Sequence, residues 1–566
     1  MVAGARSLSL EDTFLEPQVL NPPPTRHALL VLLLTLAALL HIGTAARGDL
    51  FDGVEGQLAS GAKEMLETGH WLLPTNNGVP QLQVPPLVYW SIALSFEIFG
   101  VSAAAARVPI ALATIGAIAL TFLIGERLAG YWRGFAAGLI LLCSGGVFAL
   151  GRMVTFDSVF TLLFTGAVYC AVCGYQQRKL RPAWFAGFWL CAGLAFLAKG
   201  PGVILCLAGL FVLLAIFFRE ARLRFALLLD WRYLLLFAAF VTPWFIWAQR
   251  HFPGFLSHFL SGRREPALPL WQFLALHFGW WFPTLLLILP GLIFALRKII
   301  RRSEFTFADA LPLCWAAIVI LWLLFAGERQ ATSSMSAWPA FALFAACAWE
   351  RMARSLRLVG IAFVLAAGVA IAGMAFFAPA KLAPLIAPNL PDSITLPLLP
   401  PLMMASLLVF TLPALYFAAK NRAEIALCLL LGAMVPIGFG LTEGASRVAP
   451  YLSLAEAAQF LNPRLGSRGQ VLFEGKLRDG NSLSFYLNKK FFFVNQSPDA
   501  FEQNGDFQNQ YLDEHFVLEA WNRADPIYLI IEEQRVSYWR QLITDRVHIY
   551  HQVTACGRRV VLSNQL

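Results

Sequence analysis

Runs of about twenty apolar residues recur along the chain, and no other feature constrains its fold as strongly. A helix of that length crosses the hydrocarbon core of a bilayer, which is about 30 Å thick. The composition agrees, since 58% of the 566 residues are hydrophobic and 14% are charged, against about 25% charged in soluble domains. We therefore predict an α-helical polytopic membrane protein with about thirteen transmembrane helices. The expected spans lie near residues 28–47, 102–126, 134–151, 158–175, 182–198, 202–218, 231–248, 272–296, 308–326, 334–350, 358–378, 396–418 and 423–442.

The cations between these spans fall in alternate loops. Cytoplasmic loops carry an excess of Lys and Arg, so these loops and the N-terminal segment 1–27 are predicted to be cytoplasmic. Counting the segment 85–100 as another span would reverse every later loop, so we expect it to be interfacial or re-entrant, with Tyr89 and Trp90 at headgroup depth. The cations concerned are Arg127 and Arg133; Arg178, Lys179 and Arg181; Arg219, Arg222 and Arg224; Arg297, Lys298, Arg301 and Arg302; Arg351, Arg354 and Arg357; and Lys420 and Arg422.

The composition changes after the last expected span. Residues 449–566 contain the strand-like runs "GQVLFEG", "SLSFYLNKKFFFV", "PIYLIIEE" and "HIYHQVTACGRRVVL", with helix-like segments near 499–522 and 535–544. This region is predicted to be a small soluble α/β domain on the outer, periplasmic face. The remaining chain divides into a membrane domain, 28–445, and its large external loop, 48–101.

The external loop begins with the stretch "FDGVEGQLASGAKEMLETGHW", which contains Asp52 and Glu55. Residues 55–68 are predicted to form an amphipathic helix that ends near Gly69. One interpretation is structural, because acids are favourable near a helix N-terminus. The other is functional, because more charged residues are expected at the same outer surface.

Those other charged residues lie in the later external loops. Asp157 stands in "GRMVTFDSVF" about one helical turn after Arg152, Lys199 stands between two spans, and Arg264 stands in "HFPGFLSHFLSGRREP". A charge at such a boundary is costly unless it reaches the interface or has a partner, so each could instead anchor a helix at the headgroups. Together they suit a phosphorylated amphiphile, because cations neutralise a phosphate and a carboxylate can accept a proton from a hydroxyl group. Glu55 and Asp157 could also hold a divalent cation such as Mg, Mn or Zn.

The order of these features resembles the GT-C glycosyltransferases, in particular the lipid A aminoarabinose transferase branch and its protein O-mannosyltransferase relatives. The resemblance covers about residues 1–350 well and the later spans by layout. It implies an inverting enzyme that takes a sugar from a polyprenyl-phosphate-sugar donor and transfers it to lipid A, another glycolipid or a protein at the outer face of the bacterial inner membrane. It rests on "EGQLASGAKEMLETGHWLLPTNNGVPQLQVPPLVYW", "RMVTFDSVF", "GLAFLAKGP" and "MSAWPAFALF".

Two positions depart from the pattern of that family. Its Asp-Glu pair at the start of the loop helix is Val54-Glu55 here, so Asp52 is the candidate replacement for the proposed catalytic Asp. Its Glu-Lys pair before the prolines is Gln83-Val84 here, so the lysine expected at the donor phosphate is missing.

The resemblance then implies the following roles. Glu55, with Asp52, would accept or orient the proton of the acceptor, and Asp157 would assist or hold a metal ion. Lys199, Arg152 and Arg264 would bind the donor phosphate.

Two other functions stay open at this stage. A transporter or flippase of lipid-linked sugars usually contains internal repeats and broken helices near the midplane, and no clear repeat is found. A non-catalytic envelope scaffold is the second alternative, because the family's Asp is missing. Membrane lipids are expected partners, whereas the charge of +9, spread over the loops, does not indicate nucleic acid. The sequence does not identify the sugar, the acceptor, the oligomeric state or the role of 449–566.

Overall fold

The structure is a computed structural model, and it describes residues 24–177, 179–261, 267–301, 305–327, 329–377, 398–497, 509–545 and 550–565. Helices dominate the part before residue 455. They are α1 Pro24–His41, α2 Val54–Thr68, α3 Leu87–Phe99, α4 Ala103–Ala129, α5 Tyr131–Leu142, α6 Gly145–Leu150, α7 Phe156–Gln176, α8 Arg181–Lys199, α9 Gly202–Phe217, α10 Arg219–Phe225, α11 Trp231–His251, α12 Phe255–Ser261, α13 Leu270–Trp280, α14 Leu285–Arg301, α15 Phe307–Ala326, α16 Trp338–Arg351, α17 Arg354–Phe377, α18 Leu399–Ala419, α19 Ala423–Gly432 and α20 Met434–Leu452. Short 3₁₀ turns cover Ala226–Leu229 and Ser333–Ala337.

The membrane domain has a helix at or near each predicted span. In the described part of the chain, eight helices, with α19 and α20 counted as one continuous segment, are long and apolar enough to cross a membrane. The multi-pass helical class is therefore confirmed, while the count of thirteen is not established. All eight fall on predicted spans, so the apolar runs located the long helices well.

Two of the predicted spans are interrupted, and the interruptions pack against each other. The span at 134–151 splits between α5 and α6, and the span at 272–296 splits between α13 and α14. The amide of Gly145 donates to the carbonyl of Phe282 at 3.1 Å, and a Cβ on Gly145 would lie 2.9 Å from the carbonyl oxygen of Gly279. Hydropathy does not reveal such breaks, because the residues on both sides are apolar.

The segment 85–100 forms the helix α3, whose 13 residues extend about 20 Å. That length is shorter than the hydrocarbon core. The ring of Tyr89 is fully buried under α2, where a Cβ on Gly61 would lie 2.6 Å from it, so the ring contacts protein, and its headgroup depth stays a prediction. Trp90 is half-buried and its indole N–H donates to the carbonyl of Trp71 at 2.6 Å.

The C-terminal part is a six-stranded sheet with short helices, as the predicted α/β class requires. The sheet order is β5-β4-β3-β6-β8-β7; β3 pairs in parallel with β4 and β6, β4 pairs in parallel with β5, and β8 is antiparallel to both β6 and β7. The strands are β3 Gln470–Phe473, β4 Phe492–Val494, β5 Tyr511–Leu512, β6 Ile527–Glu532, β7 His551–Cys556 and β8 Arg559–Ser563. The helices are α21 Ala455–Leu461, α22 Asn481–Tyr486, α23 Glu514–Trp521 and α24 Val536–Thr544, with 3₁₀ turns at Leu477–Asp479 and Glu533–Arg535.

The strand predicted at the start of "SLSFYLNKKFFFV" is a helix in the structure. The alternation in "SLSFYL" suggests a strand, but residues 481–486 form α22 and only Phe492–Val494 is a strand. The reason is tertiary, because α22 packs directly on α2: a Cβ on Gly56 would lie 2.7 Å from the amide nitrogen of Ser482. Local preference for a strand is weak enough for such packing to override it.

The C-terminal domain packs against the external loop. The predicted helix 55–68 is confirmed as α2, which ends at Gly69 in a left-handed conformation. It lies between α3 on one side and α22 on the other. Lys63 donates to the carbonyls of Phe485 and Leu487 at 2.9 and 3.3 Å, and Tyr486 accepts the amide of Leu50 through its hydroxyl group at 2.9 Å. The family-like "KEML" stretch therefore has a docking role.

A two-stranded hairpin in the same loop completes this contact. Strands β1 Thr75–Asn76 and β2 Val79–Pro80 are joined by Asn77 and Gly78, with φ of 52° and 82°. Positive φ at both positions defines a type I′ turn, which favours the Asn-Gly pair. The Asn77 amide group donates to the Phe491 carbonyl at 2.9 Å and accepts the Phe491 amide at 3.0 Å, while buried Glu64 accepts the Gly78 amide and the Thr75 hydroxyl.

We expect Asn77→Ala to loosen the C-terminal domain from the membrane domain by about 2–4 kcal/mol, because two buried backbone groups of Phe491 lose their partners and alanine disfavours positive φ. Limited proteolysis should then cut within residues 455–566 faster than in the native protein. Asn421→Ala is the matched control, since Asn421 has φ 58° but is exposed. Equal proteolysis of the native protein and the Asn77 variant would contradict the docking role.

The opposite end of the membrane domain carries ion pairs between predicted cytoplasmic residues. Arg26 pairs with Glu126, and Arg133 pairs with Glu350. Buried Asp309 accepts from Lys298 at 2.9 Å and from Arg351 at 2.7 Å. Several of the cations that define the charge pattern therefore have carboxylate partners.

Candidate active site

A cavity of about 1330 Å³ lies where the membrane domain meets the C-terminal domain. One wall comes from the start of the external loop and α2, a second from the ends of α7 and α8 and from residues 330–333, and a third from residues 450–454 and the C-terminal domain. Among the residues that line it are Asp52, Glu55, Asp157, Lys199, Asp479, Glu532, Glu533, Arg558 and Arg559. The predicted acids and the predicted lysine therefore face one space, although they are up to 147 positions apart in sequence, from Asp52 to Lys199.

Glu55 is held by an unusually complete set of donors. Its Oε1 accepts from Arg107 Nε and from the Val154 amide, both at 3.1 Å, and its Oε2 accepts the Phe51 amide at 2.9 Å. The Glu55 and Arg107 side chains are 3% and 4% exposed. Arg107 also donates to the carbonyls of Ala45, Arg47, Gly48 and Asp49. Glu55 thus ties the loop before α2 to the loop before α7.

Glu55 lies in the first turn of α2, as the structural interpretation of the acids expects, but Asp52 does not cap this helix. The cap position is Gly53, without a side-chain hydrogen bond. Asp52 Oδ1 instead accepts the Ser482 hydroxyl at 2.6 Å and the Ser482 amide at 2.9 Å. Its Oδ2 has no hydrogen-bond partner within the described ranges. Burial raises the pKa of Asp52 to about 7, against the lowering effect of the Ser482 bonds.

Asp157 and Lys199 form an ion pair on the floor of the cavity. Asp157 lies in the first turn of α7, and Lys199 lies in the last turn of α8, before Gly200 with φ 101°. Lys199 donates to Asp157 Oδ1, and the Thr332 hydroxyl donates to Oδ2. The ammonium group of Lys199 also lies 5.5 Å from the centre of the Phe160 ring. Asp157 therefore holds three segments together at this surface.

Arg152 is placed differently from the prediction. Its Nη1 donates to the carbonyls of Thr44 and Arg47 at 2.8 and 3.1 Å, and its side chain is buried outside the cavity lining. Burial and the charge of Arg107 lower the pKa of Arg152 to about 10. It supports the loop before α2 and does not face the cavity. Arg264 lies outside the described residues.

The predicted metal ligands do not fit a metal ion in this arrangement. Both oxygens of Glu55 accept from Arg107 or backbone amides, and both oxygens of Asp157 accept from Lys199 and Thr332. A cation would have to displace these donors. In the part of the chain that the structure covers, no cluster of three His, Cys, Asp or Glu side chains could hold a metal.

The sequence missed the contribution of the C-terminal domain to this cavity. Arg558 and Arg559 come from the β7–β8 hairpin, and Glu532 and Glu533 from the end of β6. Gln83 and Val84, which replace the family's Glu-Lys pair, also line the cavity. The adjacent arginines after "CG" were a visible signal, but nothing in the sequence places them near Asp52.

Three comparisons with known proteins bear on this arrangement. A family model described as dolichyl-phosphate-mannose-protein mannosyltransferase matches residues 83–247. The chain is 28% identical to an undecaprenyl phosphate-alpha-4-amino-4-deoxy-L-arabinose arabinosyl transferase of Edwardsiella ictaluri over 57% of this chain and 59% of that protein. A second transferase of the same description, from Pseudomonas fluorescens, is 28% identical over 47% of this chain and 51% of that protein.

The whole architecture matches a solved structure. ArnT from Cupriavidus metallidurans, bound to undecaprenyl phosphate, superposes with a TM-score of 0.79 over 95% of this chain and 98% of that chain, at 20% identity. The chain has the GT-C fold. The resemblance predicted from the sequence motifs is confirmed, and it extends beyond residue 350 through the C-terminal domain. In sequence, however, the chain spans between about half and three fifths of the length of the curated relatives that it matches.

Proposed function

We propose that this GT-C protein is an inverting glycosyltransferase that moves a sugar from a polyprenyl-phosphate donor to an acceptor hydroxyl group. The observation that carries the proposal is the cavity between the membrane and C-terminal domains, which is lined by Asp52, Glu55, Asp157 and Lys199. The fold is that of a solved protein that holds undecaprenyl phosphate. The transporter alternative is less favoured, because transporters usually contain internal repeats and the sequence shows no clear repeat.

In this proposal the acceptor oxygen attacks C1 of the sugar from the face opposite the phosphate. The bond between C1 and the phosphate oxygen breaks, and polyprenyl phosphate leaves with the bonding electron pair. Lys199 would stabilise the charge that develops on this leaving group. Asp157 holds the ammonium group of Lys199 in place. The C-terminal domain adds Arg558 and Arg559 to the cavity lining.

The proton of the acceptor hydroxyl must go to a base, and Asp52 is better suited than Glu55. Both oxygens of Glu55 already accept hydrogen bonds, including those of Arg107, so Glu55 would have to give up these contacts. Asp52 lines the cavity, leaves one oxygen without a partner among the described residues, and has a pKa of about 7. A base is most effective when its pKa lies near the working pH. Glu55 then acts as a positioning residue.

The pKa of Asp52 predicts the shape of the pH profile. Transfer should fall about tenfold per pH unit below pH 7, because the base must be deprotonated. The free energy of unfolding should change in the opposite direction and decrease as the pH rises. The pKa is raised from 3.8 to about 7, so protonation stabilises the folded state fully below pH 3.8, and this stability is lost as the pH rises through about 7. Initial rates and thermal unfolding between pH 5 and 9 measure both trends, and a flat rate profile would contradict the assignment.

The direct test uses purified full-length protein with a defined polyprenyl-phosphate sugar and lipid A, another glycolipid or a protein as acceptor. We expect release of polyprenyl phosphate together with a sugar of inverted configuration on the acceptor. Movement of the donor across vesicle membranes without sugar transfer would favour the transporter. If the protein binds the donor but neither transfers the sugar nor moves the donor across the membrane, the result would favour a non-catalytic scaffold.

The proposed location follows from the same reasoning. The protein would lie in the bacterial inner membrane with its N-terminus in the cytoplasm, and both the cavity and residues 449–566 would face the periplasm. The charge pattern of the loops supports this orientation. We propose the same division into 1–27, 28–445 and 449–566. Helix α20 ends at Leu452, just after the start of the third region.

A further inference from the structure

The turn of the β7–β8 hairpin is fixed at the edge of the cavity. Gly557 has φ 59°, and the carbonyl of Pro450 at the end of α20 leaves no space for a Cβ at this position. The turn is therefore seated on the membrane domain. This contact places the next two residues, Arg558 and Arg559, in the cavity lining.

The two arginines differ in what they contact. Arg559 is anchored: its guanidinium lies 4.6 Å from the centre of the Phe473 ring, and its Nη1 donates to the Glu474 carbonyl at 3.3 Å. Arg558 is exposed, and its side chain has no hydrogen-bond or ion-pair partner within the residues that the structure describes. Only its carbonyl is engaged, by the Glu533 amide at 2.9 Å. Arg558 thus offers an unoccupied set of donors to a ligand in the cavity.

A second groove continues from the same arginine. It measures about 660 Å³ and shares Glu533, Gly557 and Arg558 with the main cavity. Among its described lining residues, Arg540 and Arg558 are the cations and Glu533 is the acid. The described lining of the groove thus has two cations and one acid and favours an anion, whereas the membrane end of the main cavity presents Glu55 and the Asp157–Lys199 pair.

The combined space is too large for the donor headgroup alone. Pockets for one small-molecule ligand usually measure about 300–1,000 Å³, and the main cavity exceeds this range before the groove is added. The main cavity lies next to the ends of the membrane helices α7, α8 and α20, and the groove extends from it along the C-terminal domain. A lipid headgroup of several sugars fits this size and position.

We propose that Arg558, with Arg540, binds a phosphate group of a glycolipid acceptor, so that the C-terminal domain selects the acceptor. This inference rests on the proposed function and assigns the acceptor side of the same site. Arginine matches the geometry of phosphate and donates to it in pairs of hydrogen bonds. Lys199 and Arg558 would then hold different phosphates, one on the donor and one on the acceptor.

The test measures binding of lipid A to full-length protein without any donor, using lipid A with its phosphates and lipid A from which they have been removed. Arg558→Ala should weaken binding of the phosphorylated form by about tenfold or more, because a charge-assisted hydrogen bond is lost. Binding of the dephosphorylated form should not change. Arg558→Lys should recover part of the affinity, and unchanged thermal unfolding would show that the variant is folded.

Arg468→Ala is the matched control, since Arg468 is an exposed arginine of the same domain outside both lining sets. The proposal would be overturned if the Arg558 variant lost affinity equally for both lipid forms or lost none for either. Sugar transfer only to protein would also overturn it. If the native protein cleaves no donor, the proposed function fails, and the binding comparison still decides the role of Arg558.

Discussion

Asp52→Asn is expected to lower sugar transfer by about 10²- to 10⁴-fold, the contribution of a general base. Asparagine keeps an oxygen that can accept the hydroxyl and amide of Ser482, so the contact with α22 survives. It cannot accept a proton from the acceptor. Steady-state rates of polyprenyl phosphate release, at saturating donor and acceptor, measure the effect.

The stability of this variant separates a lost base from a lost fold. At pH 8 the native protein holds a half-buried, largely ionised carboxylate at position 52, and the amide removes the cost of desolvating it. Asp52→Asn should therefore unfold at the same or a higher temperature than the native protein. Glu67→Gln is the control, because Glu67 lies near the end of α2, the helix that follows Asp52, and its side chain is 58% exposed. If the Asp52 variant transfers sugar at the native rate, Asp52 is not the base, and Glu55 becomes the candidate.

Arg107→Leu is expected to destabilise the membrane domain by about 3–5 kcal/mol, the usual cost of removing one partner from a buried ion pair. Glu55 would stay buried without its counter-ion, and the carbonyls of residues 45 and 47–49 would lose their donor. The loop that carries Asp52 depends on these contacts, so activity should fall with stability. Thermal unfolding and hydrogen exchange of residues 44–55 provide the measurement.

Two further variants show whether the cost comes from the stranded charge. In a Glu55→Gln background, Arg107→Leu should cost less, because no buried carboxylate is left unpaired. Arg133→Leu removes an arginine from the partly exposed Arg133–Glu350 pair, and it should cost about 1 kcal/mol or less. Equal losses in the Arg107 and Arg133 variants would argue against a special role for the buried pair.

Several features could be predicted from the sequence because they depend on local patterns. Long apolar runs located the long helices, and the amphipathic pattern with Gly69 located α2 and its end. The loop motifs were sufficient to recognise the GT-C fold. Chemical types were also visible, since Asp157 and Lys199 stood out as charges at the ends of spans.

The partners of these residues could not be predicted, because they come from distant segments. Nothing near Glu55 indicates that Arg107 will hold both of its oxygens, or that Arg152 will turn away from the cavity. The same holds for α22, whose strand-like sequence becomes helical against α2.

The sequence by itself determined a helical membrane protein with a GT-C-like loop and an α/β domain after it, because hydropathy and turn chemistry act over neighbouring residues. Only the tertiary structure decided which charges are free to react. Glu55 and Asp157 are both paired with cations, whereas Asp52 and Arg558 have side-chain atoms at the cavity with no partner among the described residues. These differences arise from contacts between segments far apart in the chain. For Glu55 and Asp157 the partners belong to the membrane domain, and for Asp52 the partner is Ser482 of the C-terminal domain, 430 positions away.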